Sequence, residues 1–460
     1  MRLPAVFLLL LLLLLAILVG ATAALAEPVI TPADGARLDG PPTAVRVVLS
    51  APLEPALARA EMAGPAGVAP ATVRVAPENP QAILIAVPAE GAGGYRVAWW
   101  GQTIDGHPIA GATAFTAGQG GPVAAPIGPS GDDGTAPLAI AARLLVLVGV
   151  LGTAGLALCR WIVLSPPWRA GGIAPPGDGD PDALRAAAAA AAPAAIARWW
   201  RAWWLLLAAW LIGLVVALPV QAASVGGQWG ALLGDSRWGT AWIALGILGA
   251  AAVVAGMAAR RGDVVPAAPV PRALALGLPG IAGAAVLSWS GHAASGPDAG
   301  LGIALDAVHG WATAIWLGGL VMLLALASPL LAALGPVDRV RMGAGIVVRF
   351  SAVAITAVVL IVVTGVYRAL AEVSSLSDLW TTAYGVALLA KLAVFALMLA
   401  LAAWNRMVLH PRLERAALGS ASPGARDGLA ALAVSIRAEV ALGAVVMALV
   451  AVMVGLMPPG

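Results

Sequence analysis

Charged residues, lysine and cysteine are all scarce in this sequence. Only 11% of the 460 residues are charged and 61% are hydrophobic, which excludes an ordinary soluble domain and indicates a protein with several membrane-spanning segments. The single cysteine, Cys159, excludes an internal disulfide and a cysteine-rich metal site. Lys391 is the only lysine, and the arginines flank apolar segments instead of forming a patch. This distribution argues against a nucleic-acid partner.

Three segments precede the long apolar part of the chain. Residues 1–26 combine an early arginine, a leucine-rich core and an Ala-x-Ala end, which predicts a signal peptide cleaved before Glu27. The core is also long enough for an uncleaved anchor. Residues 27–118 contain short alternating runs between Pro/Gly turns and predict a small antiparallel β-sandwich. Residues 119–136 are rich in glycine and proline and predict a linker.

Residues 137–460 contain eight apolar segments that are each long enough to cross a bilayer as a helix. If the β-sandwich lies outside, sixteen arginines fall in the inner loops and two in the short outer loops, as the positive-inside rule requires. Tryptophans such as Trp199, Trp200 and Trp203 lie near predicted helix ends, which is typical of an interfacial belt. The sequence thus predicts a mixed fold, a β-sandwich followed by an eight-helix transmembrane bundle, with helices near residues 137–164, 199–223, 238–259, 270–290, 301–330, 347–370, 381–404 and 434–457.

Two of the four histidines lie beside or inside the fifth apolar segment. Asp306 and His309 are three residues apart and share a helix face, about 10 Å below the outer surface. His292 lies in the preceding loop and is free to fold back over them. Two imidazoles and a carboxylate suit a divalent transition metal, copper above all on affinity. The alternative is a hydrogen-bonded His–Asp pair that packs the bundle, with His292 at the interface.

Lys391 lies in the middle of a predicted helix, at about the depth of His309. An ammonium group at that depth requires a carboxylate partner. Asp306 is the first candidate by depth and Glu439 is the second. The alternative is a lysine whose long side chain extends to the membrane surface.

Asp105 and His107 are the second candidate pair. Residues two apart on a strand share a face, so both side chains can meet one ion. The alternative is a turn, because Asp-Gly is a common turn pair. Met322 and Met398 are candidates for a deeper copper(I) relay, although methionine more often serves as flexible packing.

Several motifs carry a resemblance to a known protein family. They are TPADGARLDGPPTAVRVVLSAPLEP and TIDGHPIAGATAFT in the first part, and SGHAAS, DAVHGWATAIWLGGL, RFSAVAITAVVLIVVTGVYRAL, LWTTAYGVALLAKLAV and WNRMVLHPRL in the second. In this order they resemble a CopC-like copper-binding domain fused to a CopD-like membrane domain of copper resistance or uptake.

The resemblance implies a cupredoxin-like β-sandwich that binds copper(II) in the periplasm and a helical bundle that handles copper. Asp105 and His107 match two of that family's copper(II) ligands. The third is an N-terminal histidine, whereas the predicted mature chain here begins Glu27-Pro28-Val29. We therefore expect weak copper(II) binding by the β-sandwich alone.

The function predicted from the sequence is copper import across the inner membrane, through His292, Asp306 and His309 on the periplasmic side. The expected partners are copper ions, the lipid bilayer and periplasmic copper chaperones. We expect no enzymatic activity, no nucleic acid and, since no nucleotide-binding loop is present, no nucleotide. The alternatives are a copper sensor or assembly partner that does not transport, and a membrane haem or redox protein with histidine axial ligands.

Overall fold

The computed structural model describes residues 29–49, 51–88, 91–118, 137–164, 181–261, 263, 269–295, 298–412 and 423–458. The predicted signal peptide and the predicted linker, residues 119–136, lie outside the described residues.

The N-terminal domain consists of two packed sheets with the orders β1-β3-β7-β6 and β2-β9-β8-β4-β5. Alternate residues point inward, so Val45 and Ile83 of one sheet meet Val97 and Phe115 of the other in a shared apolar core. Every strand pair is antiparallel except β2 with β9, which is parallel and which the sequence pattern did not indicate. The strands are β1 (Val29–Thr31), β2 (Ala36–Leu38), β3 (Ala44–Val48), β4 (Arg59–Gly64), β5 (Gly67–Ala71), β6 (Val73–Ala76), β7 (Asn79–Ala86), β8 (Gly93–Gln102) and β9 (Pro108–Ala117).

The rest of the described chain is helical, and eight helices are long and apolar enough to cross a membrane, as predicted. The helices are α1 (Pro137–Cys159), α2 (Pro181–Ser224), α3 (Trp229–Gly234), α4 (Arg237–Arg260), α5 (Val270–Ser290), α6 (Ala299–Met322), α7 (Ser328–Ala332), α8 (Pro336–Glu372), α9 (Asp378–Thr381), α10 (Ala383–Trp404) and α11 (Pro423–Met453). Single π-helical turns extend α1, α6 and α10 over Arg160–Leu164, Leu323–Ala327 and Asn405–Leu409.

The second long helix begins eighteen residues earlier than predicted, at Pro181 instead of residue 199. Its first part contains a run of alanines, and alanine has the highest helix propensity of the amino acids. The helix continues through Pro193. The tryptophans that follow do not form an interfacial belt. Trp199, Trp200 and Trp203 are buried inside the bundle, stacked edge to face on one another.

The sandwich is seated on one end of the helical domain, which we call the sandwich side; the opposite end is the far side. Leu57 is fully buried against Ala222, Val225 and Leu232, which lie at and after the end of α2. Gln221 donates hydrogen bonds to the Gln102 side chain at 2.7 Å and to the Gly106 carbonyl at 2.9 Å. Apolar contact and satisfied polar groups thus hold the two domains together.

A buried cluster of charged side chains lies at the far side of the helical domain. Arg160 donates two hydrogen bonds to the Asp263 carboxylate, at 2.7 and 2.9 Å, and both side chains are 1% exposed. Arg272 and the Trp200 indole also donate to Asp263, at 3.0 and 2.9 Å. The carboxylate therefore joins the π-helical turn after α1 and the first half of α2 to the start of α5.

The first prediction concerns this cluster. Asp263→Asn removes the charge of the buried carboxylate to which Arg160, Arg272 and Trp200 donate, so we expect the free energy of unfolding to fall by about 3–5 kcal/mol. Arg272→Gln is the matched control, because the Arg272 side chain is 19% exposed and its loss should cost about 1 kcal/mol or less. Denaturation of the detergent-solubilised protein measures both. Equal losses in the two variants would contradict the assignment.

Candidate metal centre

Asp105 and His107 lie in the tight connection between β8 and β9, and not on a strand as the metal hypothesis assumed. Gly106 between them has a φ of 89°, which favours glycine, and a Cβ there would lie 3.0 Å from Trp238 of α4. The Thr103 hydroxyl donates to Asp105 Oδ1 at 2.5 Å and accepts from the His107 backbone N–H at 3.1 Å. The turn that the sequence offered as the alternative is thus what presents both side chains to the helical domain.

His292 reaches this turn from the helical domain. It begins the 3-10 turn His292–Ala294 between α5 and α6, and its ring stacks on that of His107 with centroids 4.6 Å apart. His292 Nδ1 lies 2.8 Å from Asp105 Oδ2. One ligand atom from each of Asp105, His107 and His292 falls within 4.8 Å of the others, which makes these residues the one such group in the described chain.

The hydrogen bonds determine which nitrogen of each imidazole keeps a lone pair. His107 Nε2 lies 2.9 Å from the Val454 carbonyl, an acceptor, so Nε2 carries the proton and Nδ1 the lone pair. His292 Nδ1 donates to the Asp105 carboxylate, which leaves the lone pair on Nε2. Both lone-pair nitrogens are buried and have no hydrogen-bond partner among the residues described.

The spacing of these atoms suits an ion. His107 Nδ1 lies 3.3 Å from Asp105 Oδ1, and two lone pairs at that distance repel unless a cation lies between them. Donors about 2.0–2.2 Å from one ion and roughly at right angles are about 3 Å apart. The side chains of Asp105, His107 and His292 are only 4%, 5% and 10% exposed, so water does not relieve the repulsion.

The surroundings of Asp105 and His107 favour the protonation states that bind a metal. Burial by itself raises the pKa of Asp105, but the adjacent rings of His107 and His292 outweigh it and hold that pKa well below its ordinary value. Burial lowers the pKa of His107 despite the neighbouring Asp105 carboxylate. At neutral pH the site therefore offers an anionic carboxylate and a neutral imidazole, the forms that bind a divalent metal.

The predicted trio of His292, Asp306 and His309 is not assembled. His292 bonds to Asp105, whereas His309 Nδ1 lies 2.9 Å from the Thr364 hydroxyl, and that hydroxyl donates to the Leu360 carbonyl. His309 therefore donates from Nδ1. The turn at His292 directs its ring toward the sandwich, away from α6.

Lys391 is not paired with Asp306. Asp306 Oδ1 lies 3.6 Å from Arg368 Nε, and Arg368 also pairs with Glu372, which accepts a hydrogen bond from Tyr384. Lys391 makes no ion pair within 4.0 Å in the part of the chain that the structure describes. The partner of Lys391 was predicted from depth in the membrane alone, and Arg368 was not considered. The Arg368 guanidinium meets Asp306 across the contact between α6 and α8.

The two methionines are buried, Met322 at the end of α6 and Met398 in α10. Met398 packs where α10 meets α11, since a Cβ at Gly443 would lie 3.6 Å from its methyl carbon. Neither methionine touches the candidate metal centre, so a role as a deeper relay stays a prediction.

Sequence reasoning missed the pairing of His292 with Asp105, 187 positions away. Two signals pointed to it. The predicted mature terminus lacks the histidine that the resemblance to CopC-like domains leads us to expect, and the predicted topology puts His292 on the same side of the membrane as Asp105.

Two parts of the chain match models of known protein families. Residues 29–118 match the CopC domain model and residues 344–453 match the model of copper resistance protein D. Copper resistance protein D of Pseudomonas syringae pv. tomato is 31% identical over 231 residues, 46% of this chain and 70% of that protein. Copper transport protein CutJ of Bacillus subtilis (strain 168) is 31% identical over 210 residues, 43% of this chain and 37% of that protein.

Two solved structures are similar to the sandwich. CopC from Methylosinus trichosporium OB3b is 20% identical, with a TM-score of 0.18, and the match covers 20% of this chain and 90% of that one. PcoC, a copper resistance protein from Escherichia coli, is 32% identical, with a TM-score of 0.16, and the match covers 19% of this chain and 94% of that one.

The second prediction tests the centre directly. In the full chain, His292→Ala should weaken copper(II) binding by at least about 100-fold, because it removes one of three donors and an outer-shell change alone costs up to that much. His309→Ala is the matched control and should leave the affinity unchanged. Isothermal titration of the detergent-solubilised protein measures both. Weakening by His309→Ala as well as by His292→Ala would restore the trio predicted from sequence.

The third prediction concerns the charges within the bundle. A double-mutant cycle between Arg368→Gln and Glu372→Gln should give a coupling energy of about 0.5–3 kcal/mol in the free energy of unfolding. The cycle between Lys391→Met and Asp306→Asn should give a smaller value, since these side chains make no ion pair. A larger coupling for the second cycle would show that Lys391 is the true partner of Asp306.

Proposed function

Because the chain belongs to the copper resistance protein D family, we propose that it carries copper ions across a membrane and loads them at the centre formed by Asp105, His107 and His292. The observation that carries this proposal is the pair of buried imidazole nitrogens, one from each domain, that keep lone pairs without partners beside one carboxylate. Copper is the cargo.

The donor set favours copper over other divalent ions. Two imidazole nitrogens and one carboxylate oxygen are borderline ligands, and copper(II) binds such sets more tightly than the other first-row divalent metals do. In similar proteins an N-terminal histidine completes the site, and here we assign that part to His292. The sandwich is then a cupredoxin-like copper-binding domain whose third ligand belongs to the membrane domain.

The position of the centre suits delivery into the bundle. His292 precedes α6, and the Val454 carbonyl, which accepts from His107, follows the last turn of α11. An ion released from the sandwich is therefore already between two spanning helices. We assign His309 and Asp306, farther along α6, to the next part of the path. Met322 and Met398 are candidate relay residues below them for copper(I).

We infer the compartment of the sandwich and the membrane of the bundle from the same topology. Eight spanning helices return the chain to the side on which it began, so the sandwich and the end of α11 share a compartment. We assign that compartment to the periplasm and the bundle to the inner membrane, because the arginines concentrate on the far side. The expected partners are the lipid bilayer and periplasmic copper chaperones that supply the ion. We propose transport and no enzymatic activity.

The geometry does not favour a haem protein. Axial ligation needs two histidines that face one another, but His309 bonds to Thr364, and His107 and His292 stack on each other at the domain contact. A copper sensor that does not transport remains the competing outcome of the experiment below.

The fourth prediction is made for proteoliposomes that contain a copper-sensitive dye. His107→Ala and His292→Ala should each lower the uptake rate at limiting copper by at least about tenfold, because a lost ligand weakens capture. His410→Ala removes the fourth histidine, on the far side, and is the matched control with wild-type uptake expected. A protein that binds copper at the centre but shows no uptake in any form would be a sensor or assembly partner.

A further inference from the structure

Glu439 is a buried carboxylate in the far-side half of Ala430–Met453, the membrane-spanning part of α11, and its residue is only 3% exposed. Asn405, on the π-helical turn after α10, donates its amide N–H to Glu439 Oε1 at 2.5 Å. No basic group lies within 4.0 Å of Glu439 among the described residues, in contrast to Asp263 with Arg160 and to Glu372 with Arg368. A carboxylate without a counter-charge is costly inside a membrane.

Two further polar oxygen atoms near Glu439 lack a hydrogen-bond partner among the described residues. Ser435 lies one helical turn away on α11 and is 8% exposed, and its hydroxyl has no hydrogen-bond partner among the described residues. The same holds for the Asn405 carbonyl oxygen. Buried polar atoms are normally satisfied, so these oxygens indicate a ligand at this place. Three oxygen donors suit a hard cation, whereas copper(I) prefers sulfur and nitrogen.

Glu439 also lies at the end of a continuous helix face. Lys391, Met398 and Asn405 are spaced by seven residues along α10 and its π-helical turn, so they share one face about 10 Å apart. Met398 packs against α11 near Gly443, one turn from Glu439. The carboxylate thus occupies the far-side end of the contact between α10 and α11, beneath the charged residues of the outer half.

The charged groups on neighbouring elements make no ion pair with Glu439 among the described residues. Arg437 on α11 and Arg406 on the π-helical turn are exposed. Arg406 donates to His410 Nδ1 at 3.1 Å, and Arg160 on α1 is bound to Asp263. The other described titratable groups on the elements packed against α11 make no hydrogen bond or ion pair to Glu439 among the described residues; they are Arg143, Cys159, Asp306, His309, Asp338, Arg339, Arg349, Tyr367, Arg368, Glu372, Tyr384 and Lys391.

We propose that Glu439, with Asn405 and Ser435, is a proton-binding site that is loaded and emptied once in each copper transport cycle. The proton comes from hydronium in the far-side compartment. An O–H bond forms at the Glu439 carboxylate oxygen that Asn405 does not hold, and water is released. Unloading breaks that O–H bond and passes the proton to water on the sandwich side, which re-forms hydronium there. This inference rests on the proposed transport of copper and assigns the ion to which transport is coupled.

The transport test uses proteoliposomes with copper-sensitive and pH-sensitive dyes. In the wild type, changing the far-side pH by one unit should change the rate of copper uptake by up to about tenfold, the change in proton activity. Glu439→Gln should abolish this response, and Glu439→Asp should keep it. Arg437→Gln removes an exposed charge two residues away and is the matched control. A pH response that persists in Glu439→Gln would overturn the proposal.

A spectroscopic test separates this site from transport itself. Infrared spectra of the wild-type protein in detergent should contain a protonated-carboxyl band that titrates with pH and is missing in Glu439→Gln. Copper(II) titration should give the same affinity in both proteins, because the centre at Asp105 lies on the other side of the bundle. Without such a band, the proton site is wrong even if copper is transported. With the band but no uptake, the proposed transport fails and the proton site stands.

Discussion

The hydrogen bond from His292 to Asp105 joins a carboxylate of one domain to an imidazole of the other, away from water. A buried carboxylate is stable only if donors replace the water that it has lost. Thr103 supplies one donor from the same turn and His292 the other from the helical domain. The Val454 carbonyl holds the other side of His107. The Asp105 carboxylate therefore has the donors from both Thr103 and His292 only when the sandwich is seated on the bundle.

This dependence gives the site its two functions at once. The bonds that join the domains also determine the tautomers of His107 and His292, and each ring keeps its lone pair within the same small, buried space. A copper ion bound at the proposed centre would add a further cross-link between the domains, since its ligands would come from both. Binding and docking would then be one equilibrium, and we expect the sandwich alone to bind copper with a different affinity from that of the whole chain.

Polar groups farther inside the bundle lie at two levels. Near the sandwich side, Arg368 pairs with both Asp306 and Glu372, and His309 is held by Thr364. Toward the far side, Glu439 has only the Asn405 amide. Charges that balance in place stabilise the fold, whereas a carboxyl without a counter-charge gains or loses a proton as its surroundings change. The two levels are therefore suited to different tasks along the same helices.

The sequence by itself determined the two domains and the eight spanning helices, because apolar length and strand alternation are local properties that each segment carries alone. It also identified His292 and His309 as unusual, because histidine is costly in or near a membrane, and it identified Asp105 and His107 by their two-residue spacing. Only the tertiary structure decided that His292 joins Asp105 and that Arg368 takes the place expected of Lys391. Those pairings depend on how loops and helix faces far apart in the chain meet, and depth along one helix does not contain that information.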